Sequence, residues 1–450
     1  MILPRGIPMQ ANGMSGNWRK PAANIAWLVI EKLYSLILSF VSGVYLARYM
    51  GASDFGLFNY SLAFVALFRV LATLGLEEIV VRELVQNPEQ KTDTLGTAFA
   101  LRTASSLATI VLILAIAPFA RPGDPMSQWL ISISSLAYIA NPGTLIQRWN
   151  TSRVIAKYSV WSSQAALTLA TAGKLLLVLC GSSLLWFAWT NVMLAWLNSL
   201  LLLVFFLHSG ESVYDWSFRL ETARNLLRDA WPRIPSGIAS TLQNQAGALL
   251  IGSMVGDKEL GVYSVALRIF LLLIVFPSAI CQTLSPNLTK ARKISHRNFI
   301  FELTNMYRLV IQLFILTTIL VLVFGTDTIR LLFGNEYAAA GTLLNWMLLP
   351  CFILFVGAAR LWFIIIENLL LYSMLLGITQ SIVTTIAYYI AVSQFGSLGA
   401  IIGLGIGGTF AIAIDLLHPT AKYSTKSLID AMLSIWELPR RHPAKGSPKP

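Results

Sequence analysis

Charge is what this chain has least of. Of its 450 residues only 12% are Asp, Glu, Lys or Arg, against roughly a quarter in an ordinary globular domain. Hydrophobic residues make up 56%, and the mean hydropathy is +0.67. A water-soluble protein of this length needs far more charge to coat its surface. Most soluble enzymes and nucleic-acid binders are therefore excluded, in spite of a net charge of +12 and a pI near 9.7. Cysteine is scarce as well. Cys180, Cys281 and Cys351 stand singly in apolar runs, with no Cys-x-x-Cys partner to suggest a disulfide framework. The four histidines, His208, His296, His418 and His442, lie at or beyond the ends of apolar runs and lack metal-ligand spacing. No Gly-x4-Gly-Lys-Ser/Thr sequence is present, so ATP is not expected as the direct energy source, and no cofactor is expected. Gly403-Leu-Gly-Ile-Gly-Gly lies in an apolar run with no strand before it, and reads as small-residue helix packing.

What is abundant is apolar sequence. Runs of about twenty residues predict spanning helices over 24–47, 56–76, 95–120, 127–147, 158–180, 183–207, 233–255, 260–285, 307–326, 339–359, 368–392 and 397–417. The expected fold class is all-α, a polytopic membrane protein of twelve transmembrane helices. The first run is too long for a signal-peptide core and lacks a small-residue cleavage site, so it reads as an anchor. Met9 and Met14 are alternative starts. Pro232, Pro235 and Pro277 mark either bends used in opening or fixed kinks.

Thirty-three Lys and Arg set the orientation. Twenty-four fall on one side, among them Arg5, Arg19, Lys20, Arg82, Arg148, Arg219, Lys290, Arg360, Lys422 and Arg440; Arg48, Arg121, Lys258 and Arg330 fall on the other. The basic side is cytoplasmic, which puts both termini in the cytoplasm. The expected organisation is a cytoplasmic segment 1–23, an N-lobe 24–207, a cytoplasmic linker 208–232, a C-lobe 233–417 and a cytoplasmic tail 418–450. Within the tail, 425–437 is an amphipathic stretch (Leu428, Met432, Ile435, Trp436) suited to the inner leaflet, and the Pro/Lys-rich end after Pro439 reads as disordered.

An internal repeat supports the two lobes. Gly51-Ala-Ser-Asp-Phe-Gly-Leu-Phe follows the first run and Gly256-Asp-Lys-Glu-Leu-Gly-Val-Tyr follows the seventh. Both carry Gly-x4-Gly with an acid in the spacer. Six helices separate them, an even number, so the halves insert in the same orientation as a parallel repeat, with a substrate path expected between them. The alternative is a generic tight turn, for which glycine is the usual residue.

Tyr45-Leu-Ala-Arg-Tyr-Met-Gly-Ala-Ser-Asp-Phe-Gly-Leu-Phe-Asn-Tyr, then Leu74-Gly-Leu-Glu-Glu-Ile-Val-Val-Arg-Glu-Leu and Leu95-Gly-Thr-Ala-Phe-Ala-Leu-Arg, resemble the opening signature of the polysaccharide-biosynthesis flippases, the translocases of O-antigen and capsule repeat units. Gly396-Ser-Leu-Gly-Ala resembles the start of that family's last conserved helix. The resemblance is strongest over 24–105. It implies two six-helix lobes, a cavity lined by helices 1, 2, 7 and 8, and a place in a superfamily that also holds multidrug extruders and the lipid II flippase. The implied cargo is a polyprenyl-diphosphate-linked oligosaccharide, and the implied location is the bacterial inner membrane. The resemblance implies membrane lipids as partners, with a polysaccharide polymerase and chain-length proteins as further candidates; no nucleic-acid partner is expected.

Five cations lie inside the predicted spans: Lys32, Arg69, Arg102, Lys174 and Arg268. Glu31 is the one acid clearly inside, with Asp415 near an end. Charge within a bilayer is expensive and marks a bundle interior or a wet cavity, and a cationic balance attracts anions. Arg69 and Arg268 are the first candidates for the diphosphate, then Lys32, Arg102 and Lys174; arginine's planar fork suits phosphate oxygens. The plain alternative is snorkelling to an interface. Glu31 is a candidate for coupling transport to an ion gradient, the alternative being a salt bridge to Arg69 or Arg102. Gln243, Asn244 and Gln245 are candidates for sugar contacts. The expected activity is non-enzymatic: flipping to the periplasmic leaflet by alternating access. The rivals are a multidrug antiporter, which would want acids in its cleft, and a polysaccharide polymerase or ligase, which would need a larger outer loop.

Overall fold

The computed structural model describes residues 19–435. Arg5, the alternative starts Met9 and Met14, Trp436 and the Pro/Lys-rich tail beyond Pro439 lie outside the described residues. The fold is all-helical, and the chain is a multi-pass membrane protein. Its α-helices are α1 Arg19–Leu67, α2 Arg69–Thr73, α3 Glu77–Gln86, α4 Lys91–Ala120, α5 Pro125–Ser135, α6 Leu145–Ser152, α7 Ala156–Leu179, α8 Leu184–His208, α9 Leu220–Ala230, α10 Arg233–Met254, α11 Asp257–Ile294, α12 His296–Phe333, α13 Ala339–Ile366, α14 Leu370–Phe395, α15 Ser397–Leu417 and α16 Lys422–Leu433.

Among the described residues ten helical stretches are long and apolar enough to cross a membrane. One of these, within α1, is two crossings. Gly51 sits at φ 72° and ψ 173°, a conformation that side-chain-bearing residues rarely adopt. Ser35–Phe40 and Asn59–Ala66 line one cavity, whereas a straight helix would hold Ser35 and Ala66 about 46 Å apart. The chain therefore doubles back at Gly51. α10, with its Ser, Gln and Asn, is less apolar, but its 22 residues reach about 33 Å, enough for a hydrocarbon core of about 30 Å. Twelve crossings result.

The repeat is visible in the backbone. Gly256 sits at φ 126° and ψ 170° between α10 and α11, as Gly51 does between the limbs of α1. Moving 205 residues from Lys91, the first residue of α4, arrives at His296, the first residue of α12. The repeats also touch each other reciprocally. A methyl on Gly56 would collide with the Asp257 carbonyl, and one on Gly261 with the Ala52 carbonyl. Ala52 and Gly56 correspond to Asp257 and Gly261 under the same offset, so one close helix contact is made twice about a local two-fold.

Several stretches depart from the predicted spans. The second limb of α1 stops at Leu67, and Leu74 (φ 53°) and Gly75 (φ 63°) turn the chain out of α2. The fourth span is α5, a 3-10 stretch Leu136–Thr144 and α6; Pro142 removes a backbone donor there and disfavours continuous α-helix. α11 nevertheless runs through Pro277 and Pro286. At 38 residues each, α11 and α12 are about 57 Å long, nearly twice the hydrocarbon thickness. The stretch 208–232 contains α9, which buries Ala223, Leu226 and Ala230 on one face. α16 starts earlier than the amphipathic stretch read from sequence and lies along α12. The Tyr307 and Ser424 hydroxyls are 2.5 Å apart, and Arg308 donates to Ser434 Oγ at 2.7 Å. Ile429, Met432 and Leu433 remain on the exposed side.

Candidate transport cavity

A cavity of about 630 Å³ lies between the two limbs of α1 and the helices α10 and α11. Its polar lining is Ser35, Ser39, Asn59, Gln245, Ser264 and Arg268; the remaining lining is aliphatic apart from Phe40. Ser39 and Arg268 each stand twelve residues from the glycine that ends their repeat, which is about 18 Å of helix and close to the bilayer midplane. Arg268 is the one charged residue in the lining. It belongs to α11 yet reaches the first limb of α1, where its Nη1 donates to the Ser39 carbonyl at 3.2 Å. Its Cζ lies 5.6 Å from the ring centre of Phe55.

The other predicted cations are placed differently. Lys174 donates to Asn191 Oδ1 at 3.0 Å between α7 and α8, within electrostatic reach of Arg268. Arg102 is fully buried inside the N-terminal half, away from the cavity lining. Its Nη2 donates to Asn141 Oδ1 at 2.7 Å, Asn141 Nδ2 donates to the Ala72 carbonyl at 3.2 Å, and Arg102 Nε and Nη1 have no partner among the described residues. Arg69 opens α2 and Lys32 lies in the first limb of α1; both are exposed. Counted along their helices, Lys32, Arg69 and Arg102 stand about 28 Å from the Gly51–Gly256 end and Lys174 about 10 Å. The cations thus spread over the full depth, but only Arg268 lines the cavity. Glu31 pairs with neither arginine: its Oε1 accepts from Ser163 Oγ at 2.6 Å, beside Gln164, whose Nε2 donates to Ser35 Oγ at 3.0 Å. Of the three amides in α10, Gln245 lines the cavity, Asn244 is exposed and Gln243 accepts from Ser381 Oγ at 3.1 Å.

Two seals flank the cavity. At the Gly51–Gly256 end, Arg121 lies between the halves. It pairs with Asp257 at 2.6 Å, donates to the Gly252 carbonyl, and stacks 3.9 Å over Tyr60. Burial works against its charge, but the Asp257 and Asp124 carboxylates outweigh burial and hold its pKa above the ordinary arginine value. Reciprocally, Glu336 accepts from the Ala52 N–H at 2.9 Å, and Tyr337 Oη donates to the Ala47 carbonyl at 2.8 Å. At the opposite end Arg233 of α10 pairs with Glu78 of α3 across the halves, and Val70 of α2 packs on Gly237 of α10; beside them Arg82 pairs with Asp229 of α9, and all four charged residues are well exposed.

Sequence reading missed two features. Arg121 stood among the four cations of one side with no role. Arg360 was placed in a loop, but α13 runs to Ile366, so Arg360 lies inside the helix, where it forks onto buried Asp415 with one bond at 2.8 Å; Tyr372 Oη donates to the same carboxylate at 2.7 Å. An acid and a base in apolar runs 55 residues apart were the available signal.

The polysaccharide biosynthesis protein family model matches residues 22–292, well over half of the chain. The succinoglycan biosynthesis transport protein ExoT of Rhizobium meliloti (strain 1021) is 25% identical over 263 residues, 56% of this chain and 50% of that protein, so the match spans half the length of that relative. Among solved structures, the lipid II flippase MurJ in an inward closed conformation superposes with a TM-score of 0.67 at 14% identity, covering 92% of each chain. An inward-facing multidrug resistance MATE family transporter of the MOP superfamily gives 0.62 at 13% identity, over 92% of this chain and 98% of that one. These likenesses are to transporters, and the structural ones establish the fold alone. By the family match, this chain belongs to the polysaccharide biosynthesis protein family.

Proposed function

We propose that the chain is a flippase that carries polyprenyl-diphosphate-linked oligosaccharide units from the cytoplasmic to the periplasmic leaflet of the inner membrane, by alternating access between its two halves. The observation that carries this reading is the mid-depth cavity with one cation, several neutral hydrogen-bonding groups and no carboxylate in its lining. A diphosphate with attached sugars is anionic and strongly hydrated, and bringing it bare into hydrocarbon costs tens of kcal/mol on Born reasoning. Arg268 supplies the opposite charge at the depth where that cost peaks. Ser35, Asn59 and Gln245 supply neutral partners for sugar hydroxyls, while the polyprenyl tail stays in lipid. A multidrug antiporter for cationic compounds would call for a carboxylate in the same place.

The remaining assignments belong to the same proposal. Both termini are cytoplasmic, so the Gly51–Gly256 end faces the periplasm. Lys32, Arg69 and Arg102 mark the cytoplasmic level of the path and Lys174 the periplasmic level. Glu31, with Ser163 and Gln164, is the candidate for coupling to an ion gradient. A polymerase and chain-length proteins act on the delivered units, and the chain itself is not an enzyme. The test is a leaflet assay in the native host, using a periplasm-restricted sugar-modifying probe. Deletion of the gene should trap full-length lipid-linked units on the cytoplasmic side, and Arg268→Ala should fail to restore export while inserting normally. Export at the wild-type rate by Arg268→Ala would overturn the role of the cavity cation. Loss of drug tolerance with normal polymer would favour the antiporter.

A further inference from the structure

Arg268 reaches across the seam because of a residue that has no side chain. Gly43 lies in the first limb of α1, four residues beyond Ser39. A methyl built on it would fall on Nη1 of Arg268, with Cζ and Nε also inside contact distance. The guanidinium therefore rests on bare helix backbone. Every group that holds it there is neutral and comes from the N-terminal half: the Ser39 carbonyl at 3.2 Å, which also accepts from Ser42 Oγ at 3.1 Å, and the face of Phe55. The arginine itself belongs to the C-terminal half. The collision at Gly43 also differs in kind from those at Gly56 and Gly261, where a methyl meets backbone. Here it meets the movable end of a long side chain, so an alanine is accommodated by displacing the guanidinium alone.

We propose that Gly43 is a positioning residue that forms a neutral seat for Arg268, holding the cation against the N-terminal half while the cavity is empty, and that an entering diphosphate must draw the guanidinium off this seat. The inference rests on the reading of the cavity as a diphosphate path. The bond to the Ser39 carbonyl has only its donor charged, whereas a diphosphate offers an opposite charge and two oxygens to the planar fork, so the anion wins the competition, at the cost of the seat. The seat spans the two halves, so capture of the anion also removes a contact between them at mid-depth. A ligand shifts a conformational equilibrium only by its differential affinity for the two states, and this contact supplies such a difference.

Two measurements on the purified full chain in lipid nanodiscs test it. One is binding of farnesyl diphosphate as the probe. The other, without ligand, is the distance between spin labels at exposed Leu200 and Leu349 on the two halves, in a chain whose native cysteines are replaced. Gly43→Ala should bind the probe roughly tenfold tighter than wild type, the loss of one hydrogen bond from a charged donor, and should turn over more slowly in the leaflet assay. General damage would weaken binding instead. It should also shift the ligand-free distances. In an Arg268→Gln background, where probe binding is lost, Gly43→Ala should change neither quantity. If Arg268→Gln abolishes binding but Gly43→Ala leaves affinity and distances at wild-type values, the seat is overturned and the diphosphate path stands. If Gly43→Ala shifts the distances through Arg268 but no form of the chain binds the probe, the seat stands and the diphosphate path falls. Should Gly43→Ala fail to fold, Phe55→Leu removes the ring without adding volume. It should tighten binding about threefold, the smaller share expected of a cation–π contact; unchanged affinity overturns the seat.

Discussion

The two ends of the seam between the halves are closed by different chemistry. At the Gly51–Gly256 end, helix backbones approach so closely that Gly56 and Gly261 leave no room for a methyl. Half-buried Arg121 and the carboxylate of Glu336 then tie each half to the first turn of the other's helix. At the opposite end the pair that crosses the halves, Arg233–Glu78, is exposed, and exposed ion pairs contribute only about 0–1 kcal/mol each. One end is shut by backbone against backbone; the other is shut by the Val70 side chain on Gly237 and by charges that water readily replaces. An alternating-access protein needs both ends to open, but not at equal cost. The cheap end is the one that the proposed function assigns to cargo entry from the cytoplasm.

The largest effect should come from adding a methyl where backbones meet. Gly56→Ala and Gly261→Ala each force a carbonyl aside, and overpacking of this kind costs about 1–3 kcal/mol. Both variants should lower the thermal midpoint and let a membrane-impermeant thiol reagent reach a cysteine at Ser39 from the Gly51–Gly256 side. The local two-fold predicts that they do so to a similar degree. Strongly unequal effects would show that the repeat shares sequence without sharing the work of closure.

A smaller effect should follow from Arg121→Met. It removes the pair with Asp257 and the bond to Gly252 but keeps an apolar stem over Tyr60. Hydrogen bonds to charged groups contribute about 1.5–3 kcal/mol, so the same accessibility assay should report partial opening. Asp257→Asn, which keeps the shape of the carboxylate, should fall between Arg121→Met and wild type. An Arg121→Met protein as closed as wild type would leave the glycine contact as the whole of this seal.

How much of this was legible in the sequence depends on what each feature needs. Spans need only length and apolarity, and the repeat needs only Gly-x4-Gly in matching places; all twelve crossings were readable from these. Arg268 was readable as a cation in a span. That it meets the other half was not, because nothing marks Gly43 as a notch rather than an ordinary small helix residue. Arg102 looked equivalent by the same criterion, but its partner is Asn141 in the 3-10 stretch, itself bonded to the Ala72 carbonyl of α2, so it faces the interior of the N-terminal half. Arg360 was misplaced because the span was closed at the charge itself, although the apolar run continues from Leu361 to Ile366; the carboxylate that accepts the charge comes from α15 and is invisible along α13. Depth is written along one helix, whereas facing is decided between helices.

The smallest effect is the one that sharpens the contrast most. Arg233 and Glu78 are 48% and 69% exposed in their side chains, so desolvation neither weakens nor strengthens the pair much, and side-chain entropy opposes it. A double-mutant cycle with Arg233→Ala, Glu78→Ala and the double variant should return a coupling of about 0.2–1 kcal/mol from thermal or denaturant unfolding. That coupling should shrink as ionic strength rises, because the Debye length falls from about 10 Å at 0.1 M salt to about 3 Å at 1 M. The cavity should become more accessible from this end in each single variant, and nearly as much in wild type at high salt. Salt should do little at the Gly51–Gly256 end, where closure rests on excluded volume and a half-buried pair. If raised salt opened both ends equally, or if the coupling at Arg233–Glu78 reached several kcal/mol, the distinction between a seal of shape and a seal of charge would fail, and the order of opening inferred from it would fail too.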